Sequence, residues 1–357
     1  MYASSNKLSL TRRWLDFRIH LNSMQLNSKK VLVTGGSGFI GTNLVEHLLL
    51  GGAEVLNFDR NVPANPDHAG YWTRGRVGDM ETLDAAIRHF RPEYIVHLAA
   101  RTDLSGRQIN DYQENITGAE NLIRSVKALG GVERILFTSS MLVSGPGKTP
   151  VGLDDCLPDS PYGQSKLQME RVIHEADLPA EWLIVRPTSI WGPWFGEPYR
   201  NFFDIVMKGR FLHPGNRACT KTYGFVGNSV RQIEALITAP KELVQGKTFY
   251  LGDSPPLNIS RWADQIRVAC HNRVNNHLPY CAFSALGLIG DFLKLAGIKF
   301  PMTSFRLRNM TTNNEHDLRH LEAVAGKPHF NAEDGIRMTL EWLASPASQR
   351  AVNQISL

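Results

Sequence analysis

The stretch "KKVLVTGGSGFIGTNLVEHLLLGGAEVLNFDR", residues 29–60, carries the reading of the fold. "KKVLVTGG" is a short apolar run ending in glycines and reads as a buried strand. "FIGTNLVEHLLLGG" follows, with Ile40, Leu44, Val45 and Leu48 at helical spacing and glycines at its end. "AEVLNFDR" reads as a second strand. Strand, glycine turn, helix and strand make one βαβ unit, which joins parallel strands by a right-handed crossover.

The rhythm continues down the chain. "TLDAAIRHF" reads as helix, "PEYIVHLAA" as buried strand, "ENLIRSVKAL" as helix and "VERILFTSS" as strand. "SKLQMERVIHEA" is helical, "EWLIVRPTSIWG" is another strand and "KTFYLGD" a late one. Alternation of this kind predicts an α/β chain: a doubly wound parallel sheet covered by helices on both faces. After residue 190 the pattern changes. "GPWFGEPYRNFF" is rich in Gly, Pro and aromatics, and residues 254–330 are helical and loop-rich until a closing helix, "AEDGIRMTLEWLA". The expected division is a sheet domain over 29–190 plus about 222–253. A smaller, mostly helical substrate lobe takes about 191–221 and 254–345, with an extension over 1–28 and a tail over 346–357.

Composition excludes several function classes. Of the net charge of +5, all lies in residues 1–30, where Lys7, Arg12, Arg13, Arg18, Lys29 and Lys30 face only Asp16. The body is balanced, which argues against nucleic acid. Four scattered cysteines without CxxC and twelve histidines without HExxH argue against a disulfide framework and predict no metal site. The cysteine usage fits a reducing compartment, and the cytoplasm is expected. Residues 1–23 carry three readings. Leu10, Trp14, Phe17 and Leu21 share a helical face that suits an anionic membrane surface. The Arg-rich, acid-poor composition also suits a transit peptide, and Met24 is a natural start for the domain. No segment has the length of a spanning helix. "YCAFSALGLIGDFLKLAGI", residues 280–298, comes nearest and reads as a buried or partner-facing helix, with contact to a membrane surface as the alternative.

"TGGSGFIG" puts Gly35, Gly38 and Gly41 at a strand-to-helix turn, the context in which a glycine motif binds a dinucleotide. Gly35 allows the tight turn. Gly38 lets backbone approach a pyrophosphate at the helix N-terminus, beside Phe39 and Ile40, and Gly41 lets helix pack on sheet. Asp59 ends the second strand, where a carboxylate accepts from ribose hydroxyls and repels a 2′-phosphate. NAD is therefore favoured over NADP, although Arg60 beside it would suit a phosphate. In "PYGQSK", residues 161–166, Tyr162 and Lys166 lie one helical turn apart. An ammonium there favours the phenolate of a catalytic tyrosine. Ser140, in "FTSS" at a strand's carboxyl end, supplies a polarising donor.

These pieces, in this order, resemble the extended short-chain dehydrogenase/reductase family, in its NAD-dependent epimerase/dehydratase branch of nucleotide-sugar enzymes. The matching runs are "VTGGSGFIG", Asp59, "GD" at Gly78–Asp79, "VHLAA" at 96–100, "ENITGAENL" with Asn115, "FTSS", "PYGQSK", "VRPTSIWGP", "YGFVGNSV" and "EDGIRMTLEW". The resemblance implies a Rossmann-type sheet, NAD as cofactor, and Ser140, Tyr162 and Lys166 as catalytic set. It implies that Asp79 and Met80 border the adenine, that Leu98, Ala99 and Ala100 line the cofactor, that Asn115 sits behind the site, and that Pro187 flanks the nicotinamide. Thr102, Ser140, Arg200, Asn201 and Lys221 are the expected substrate residues, and a homodimer through a helical interface suits the family. Departures bear on the reaction. Met141 and Leu142 stand where dehydratases carry an acidic pair, so loss of water is disfavoured. Ser144 replaces a tyrosine, Lys221 an arginine, and Asn228 an acid. The leading expectation is an NAD-dependent epimerase of a nucleotide-activated hexose, acting at C4 through a keto intermediate. A 4-keto-sugar reductase or a hydroxysteroid-type dehydrogenase is the alternative, since "SFRLRNMT" and 280–298 resemble the sterol-type relatives. A non-catalytic NAD-sensing protein is the remote one.

Overall fold

The computed structural model describes residues 25–145, 149–197, 199–215, 219–271, 276–295, 297–298 and 303–348. The three readings of residues 1–23 lie outside them. The central sheet has seven strands, β1 (Lys30–Thr34), β2 (Glu54–Asp59), β3 (Trp72–Arg74), β4 (Tyr94–His97), β5 (Arg134–Thr138), β6 (Glu181–Pro187) and β7 (Thr248–Leu251). All pairings are parallel, in the order β7-β6-β5-β4-β1-β2-β3. The order reverses between β1 and β4, which opens a crevice at the carboxyl ends of those two strands.

Period-two alternation assigns the two faces. Val31 and Val33 point with Leu136, Leu183 and Val185 to one core, which takes in Leu44 and Val45 of α1 (Phe39–Leu50). Leu32, Ile95, Ile135 and Ile184 point to the other. There they meet Leu83 and Ile87 of α2 (Met80–Phe90), Leu122 and Val126 of α3 (Gln113–Leu129), and Met169 and Ile173 of α4 (Pro161–Glu175). Two helical layers on one parallel sheet are the expected architecture.

Two details differ from the sequence reading. β3 has only three residues on the sheet edge, too few to give a periodic signal. "EWLIVRPTSIWG" is not one strand. β6 ends at Pro187, and Ser189–Trp191 pairs instead with Tyr223–Phe225 in a separate ribbon.

The remaining helices are α5 (Tyr199–Met207), α6 (Val226–Thr238), α7 (Ile259–Ala269), α8 (Tyr280–Leu295), α9 (Ser304–Thr311), α10 (Arg319–Ala325) and α11 (Ala332–Leu343), with one short turn at Lys241–Val244. Packed aromatic rings tie several of them to Trp191 of the Ser189–Trp191 ribbon. Trp191 lies 5.1 Å from Trp262 of α7 and 5.8 Å from Phe203 of α5. Gly335 lets α11 close on this cluster, since a Cβ there would lie 2.7 Å from Trp191. Among the described residues no helix is long and apolar enough to cross a membrane, and no His/Cys/Asp/Glu group could hold a metal ion.

Candidate active site

The glycine turn sits at the reversal point of the sheet. Gly35 has φ +75°, and a Cβ on it would lie 2.6 Å from the backbone nitrogen of Ala99, which follows β4. A Cβ on Gly41 would lie 2.2 Å from the Gly35 carbonyl oxygen. These two glycines are required by backbone contact alone. Gly38 differs. Its φ of −77° and ψ of 179° suit any residue, and a Cβ there would meet only the Gly35 oxygen, at 3.3 Å. Space on the cleft side of Gly38 is what a close-approaching ligand needs. The N-terminus of α1 has no side-chain cap and no acid in its first turn, so it presents N–H groups and positive dipole to the cleft. Asp59 accepts from the backbone N–H groups of Asn61 (2.8 Å) and Ser37 (3.0 Å), which sets its carboxylate beside the turn. Burial raises its pKa, and those two N–H groups and Arg60 oppose the rise. The turn, the uncapped helix and the carboxylate together fit a dinucleotide.

Ser140 stands two residues past β5. Its hydroxyl accepts from Leu142 N–H (3.2 Å), and Ser140 lines the same cleft as Tyr162. α4 starts at Pro161, with the Ser160 hydroxyl accepting from Gly163 N–H (3.2 Å). That cap and the fixed φ of proline set where Tyr162 begins its helix. Lys166, one turn on, is buried with Tyr162.

Burial dominates the electrostatics of this pair. The Lys166 ammonium donates to the Thr138 carbonyl at 2.8 Å, on β5. Burial pulls its pKa down to about 8. Tyr162 is pushed up to about 12 by burial, and the nearby Ser140 side chain works against that rise. The helical spacing is as expected, but a strand carbonyl holds the ammonium.

The cleft above these residues has a volume of about 850 Å³. Gly38, Phe39, Ile40, Leu98, Ala100, Thr102, Ser140, Tyr162, Lys166 and Pro187 line it. Gly35, Asp59, Arg60, Leu98, Ala99 and Ala100 line an adjoining cavity of about 120 Å³. Thr138 and Ser139 also face the cleft, and their buried hydroxyls have no partner among the described residues. Such hydroxyls are available to a bound ligand.

Several expected residues lie elsewhere. Asp79 caps α2 by accepting from Glu81 and Thr82 N–H groups, and neither it nor Met80 lines either cavity. Asn115 sits one layer behind the site. Its amide brackets Arg101, accepting from the N–H (2.7 Å) and donating to the carbonyl (3.1 Å), and also donates to Ser165 (3.2 Å). Arg200 pairs with Asp204 on its own helix (3.2 Å) and lies over the Trp342 ring. Lys221 belongs to a short antiparallel ribbon with Leu257. Arg200, Asn201 and Lys221 are absent from the cleft lining.

Sequence reasoning missed the wall formed by Trp194, Phe195, Gly196, Glu197 and Tyr199. The change of composition at "GPWFGEPY" was its only signal. A tertiary tie brings it in: the Asn43 side chain of α1 donates to the Pro193 carbonyl at 2.9 Å. Lys166 and Glu197 are the only charged side chains among the lining residues.

Comparison with known proteins agrees with this geometry. An N-acetyl-alpha-D-glucosaminyl-diphospho-ditrans,octacis-undecaprenol 4-epimerase of Escherichia coli O157:H7 is 27% identical over 87% of this chain and 94% of its own length. A 3-beta-hydroxysteroid dehydrogenase of Mycolicibacterium neoaurum is 32% identical over 69% of this chain and 72% of its own. The solved epimerase of Methanothermobacter thermautotrophicus superimposes with a TM-score of 0.70 at 21% identity, over 92% of this chain and 95% of that one, and so shares the fold. Residues 31–252 match the family described as NAD dependent epimerase/dehydratase. With the reversal-point glycine turn and the parallel sheet built around it, the chain belongs to the NAD-dependent epimerase/dehydratase family.

Proposed function

We propose that this protein is an NAD-dependent epimerase of a diphosphate-activated sugar, inverting a secondary alcohol at C4. The observation that carries the reading is the meeting of Ser140, Tyr162 and Lys166 on the cleft floor that the glycine turn shares. The nearly full-length likeness to a 4-epimerase supports it. Bound NAD would supply hydride exchange at the alcohol carbon. Ser140 orients the hydroxyl. Tyr162 takes the hydroxyl proton as the alcohol becomes a ketone, and returns it when the alcohol re-forms. Held protonated, Tyr162 is ready as the acid of the second half-reaction. Lys166, cationic at neutral pH, counters the phenolate of the first from one helical turn away. The residue pair that a dehydratase would use for water loss is Met141 and Leu142, neither of which carries a titratable proton.

One observation favours a second reading. Among the described residues lining the cleft, Lys166 and Glu197 are the only charged ones, a lining poor in cations for a diphosphate. An apolar alcohol, as for a hydroxysteroid-type dehydrogenase, suits that lining. The test is incubation with NAD and either UDP-hexoses, a lipid-diphosphate sugar or a 3β-hydroxysteroid. Isomerised sugar without net reduced cofactor supports the epimerase. One reduced cofactor per steroid oxidised replaces it with the dehydrogenase. Tyr162→Phe should abolish either activity while cofactor affinity persists. Unchanged turnover in that variant would remove Tyr162 from the chemistry.

A further inference from the structure

The lobe carries an apolar surface that the cleft does not use. On α8, Phe283, Gly287 and Gly290 face inward. Gly287 lets α9 come close, since a Cβ there would lie 3.2 Å from Ser304 N. The opposite face presents Cys281, Ala285, Leu288, Ile289 and Phe292, all exposed. Leu288 is 67% and Phe292 73% exposed, and Ile298 just beyond is 53%. Positions 281, 285, 288, 289 and 292 fall on one stripe of a helix. Asp291 borders the stripe, and its carboxylate accepts the Ser304 N–H at 3.2 Å. A lone exposed leucine needs no explanation, but a contiguous cluster marks an interaction site.

Charge decides between occupants. Arg308 on α9 is exposed, and Asp291 is the single acid of residues 280–311. α9 packs beside the strand Leu212–Pro214. Lys208 and Arg210, just before that strand, are exposed. Pairing this face with a second copy of the chain would bring two cationic segments together. An anionic lipid surface complements both the stripe and the exposed Arg308, Lys208 and Arg210. At about 24 Å, a 16-residue helix is shorter than the roughly 30 Å hydrocarbon core. It would therefore lie in the interfacial plane.

We propose that α8 docks the protein in plane on an anionic lipid surface, with Leu288, Ile289 and Phe292 entering the acyl boundary. The proposal does not depend on which alcohol the cleft turns over. The test is co-sedimentation of the full chain with vesicles of phosphatidylcholine alone, and with an equimolar mixture of phosphatidylcholine and phosphatidylglycerol. Wild type should partition onto the anionic vesicles and release with salt. The triple variant Leu288→Ser, Ile289→Ser, Phe292→Ser should partition ~10-fold less or weaker still. Its unfolding midpoint should hold, because the packed face of α8 is untouched. A separate Phe292→Trp variant should shift its fluorescence to the blue with anionic vesicles alone. Equal partitioning by wild type and triple variant overturns the proposal, as does a tryptophan that ignores the vesicles. So does a dimer in light scattering that the triple variant loses, which would assign the stripe to contact between copies.

Discussion

Gly38→Ala, measured beside Gly35→Ala, separates a glycine the ligand needs from one the fold needs. At Gly35 an alanine would hold φ +75° and drive its Cβ to 2.6 Å from Ala99 N and 2.8 Å from Ala99 Cα. Backbone lies on both sides and neither β1 nor β4 can retreat within a paired sheet. Left-handed strain of ~1–2 kcal/mol adds to an overpacking cost of ~1–3 kcal/mol, so Gly35→Ala should lose ~2–5 kcal/mol of stability. At Gly38 the backbone is already acceptable for alanine, and the one neighbour, at 3.3 Å, must give by only a few tenths of an ångström. Lower unfolded-state entropy offsets that, and Gly38→Ala should fold within ~1 kcal/mol of wild type. Its methyl group would nevertheless occupy space beside the N-terminus of α1, where a pyrophosphate would lie. An overpacking cost of ~1–3 kcal/mol at that contact weakens cofactor binding by ~5- to 150-fold. Urea unfolding and titration of reduced cofactor by its fluorescence read the two effects separately. If Gly38→Ala binds NADH like wild type, or loses as much stability as Gly35→Ala, the assignment of the turn is wrong.

Three further outcomes follow from buried charge. Lys166 has a folded pKa of about 8 against an ordinary 10.5. Between these values the unfolded chain holds a proton that the folded chain has released, so stability from this site rises with pH by up to ~3 kcal/mol. Lys166→Met should erase that slope in urea melts, and a wild-type-minus-variant difference that stays flat would contradict it. Glu170 and Arg186 pair at 2.6 Å with both side chains nearly inaccessible. Glu170→Gln leaves the guanidinium without its countercharge and should cost ~3–5 kcal/mol in the same melts, whereas the double variant Glu170→Met, Arg186→Met should recover much of it. A loss below ~1 kcal/mol in the single variant would show the pair to be solvated. Asp59→Ser should narrow the preference for NAD over NADP in equilibrium binding, by removing a carboxylate that would repel a 2′-phosphate. An unchanged ratio would place discrimination elsewhere.

The glycine turn, Asp59 and the Ser140, Tyr162 and Lys166 set were legible because each is local. Gly35, Gly38 and Gly41 belong to one turn, and Tyr162 and Lys166 to one helical turn. Where other side chains engage depends on groups that folding brings within reach. Arg200 has an acid on its own helix within reach, Asp204, and pairs with it. Asp79 meets the N–H groups of the helix it starts. β3 is three residues long and owes its existence to β2 beside it, a pairing that leaves no periodic trace.

From residues 29–60 alone the βαβ unit and its dinucleotide turn follow, because hydrophobic period and glycine spacing act within a few residues of each other. The protonation of the pair in "PYGQSK" is different. Helical spacing puts Lys166 one turn from Tyr162, but only the packing of α4 on β5 delivers the Thr138 carbonyl that holds the ammonium. Burial, a property of the assembled layers, then pushes the two pKa values to about 12 and about 8. The cleft wall from Trp194 to Tyr199 likewise exists only in three dimensions. A chain's pattern states which groups are present, whereas desolvation and competing hydrogen bonds depend on what the fold brings against them.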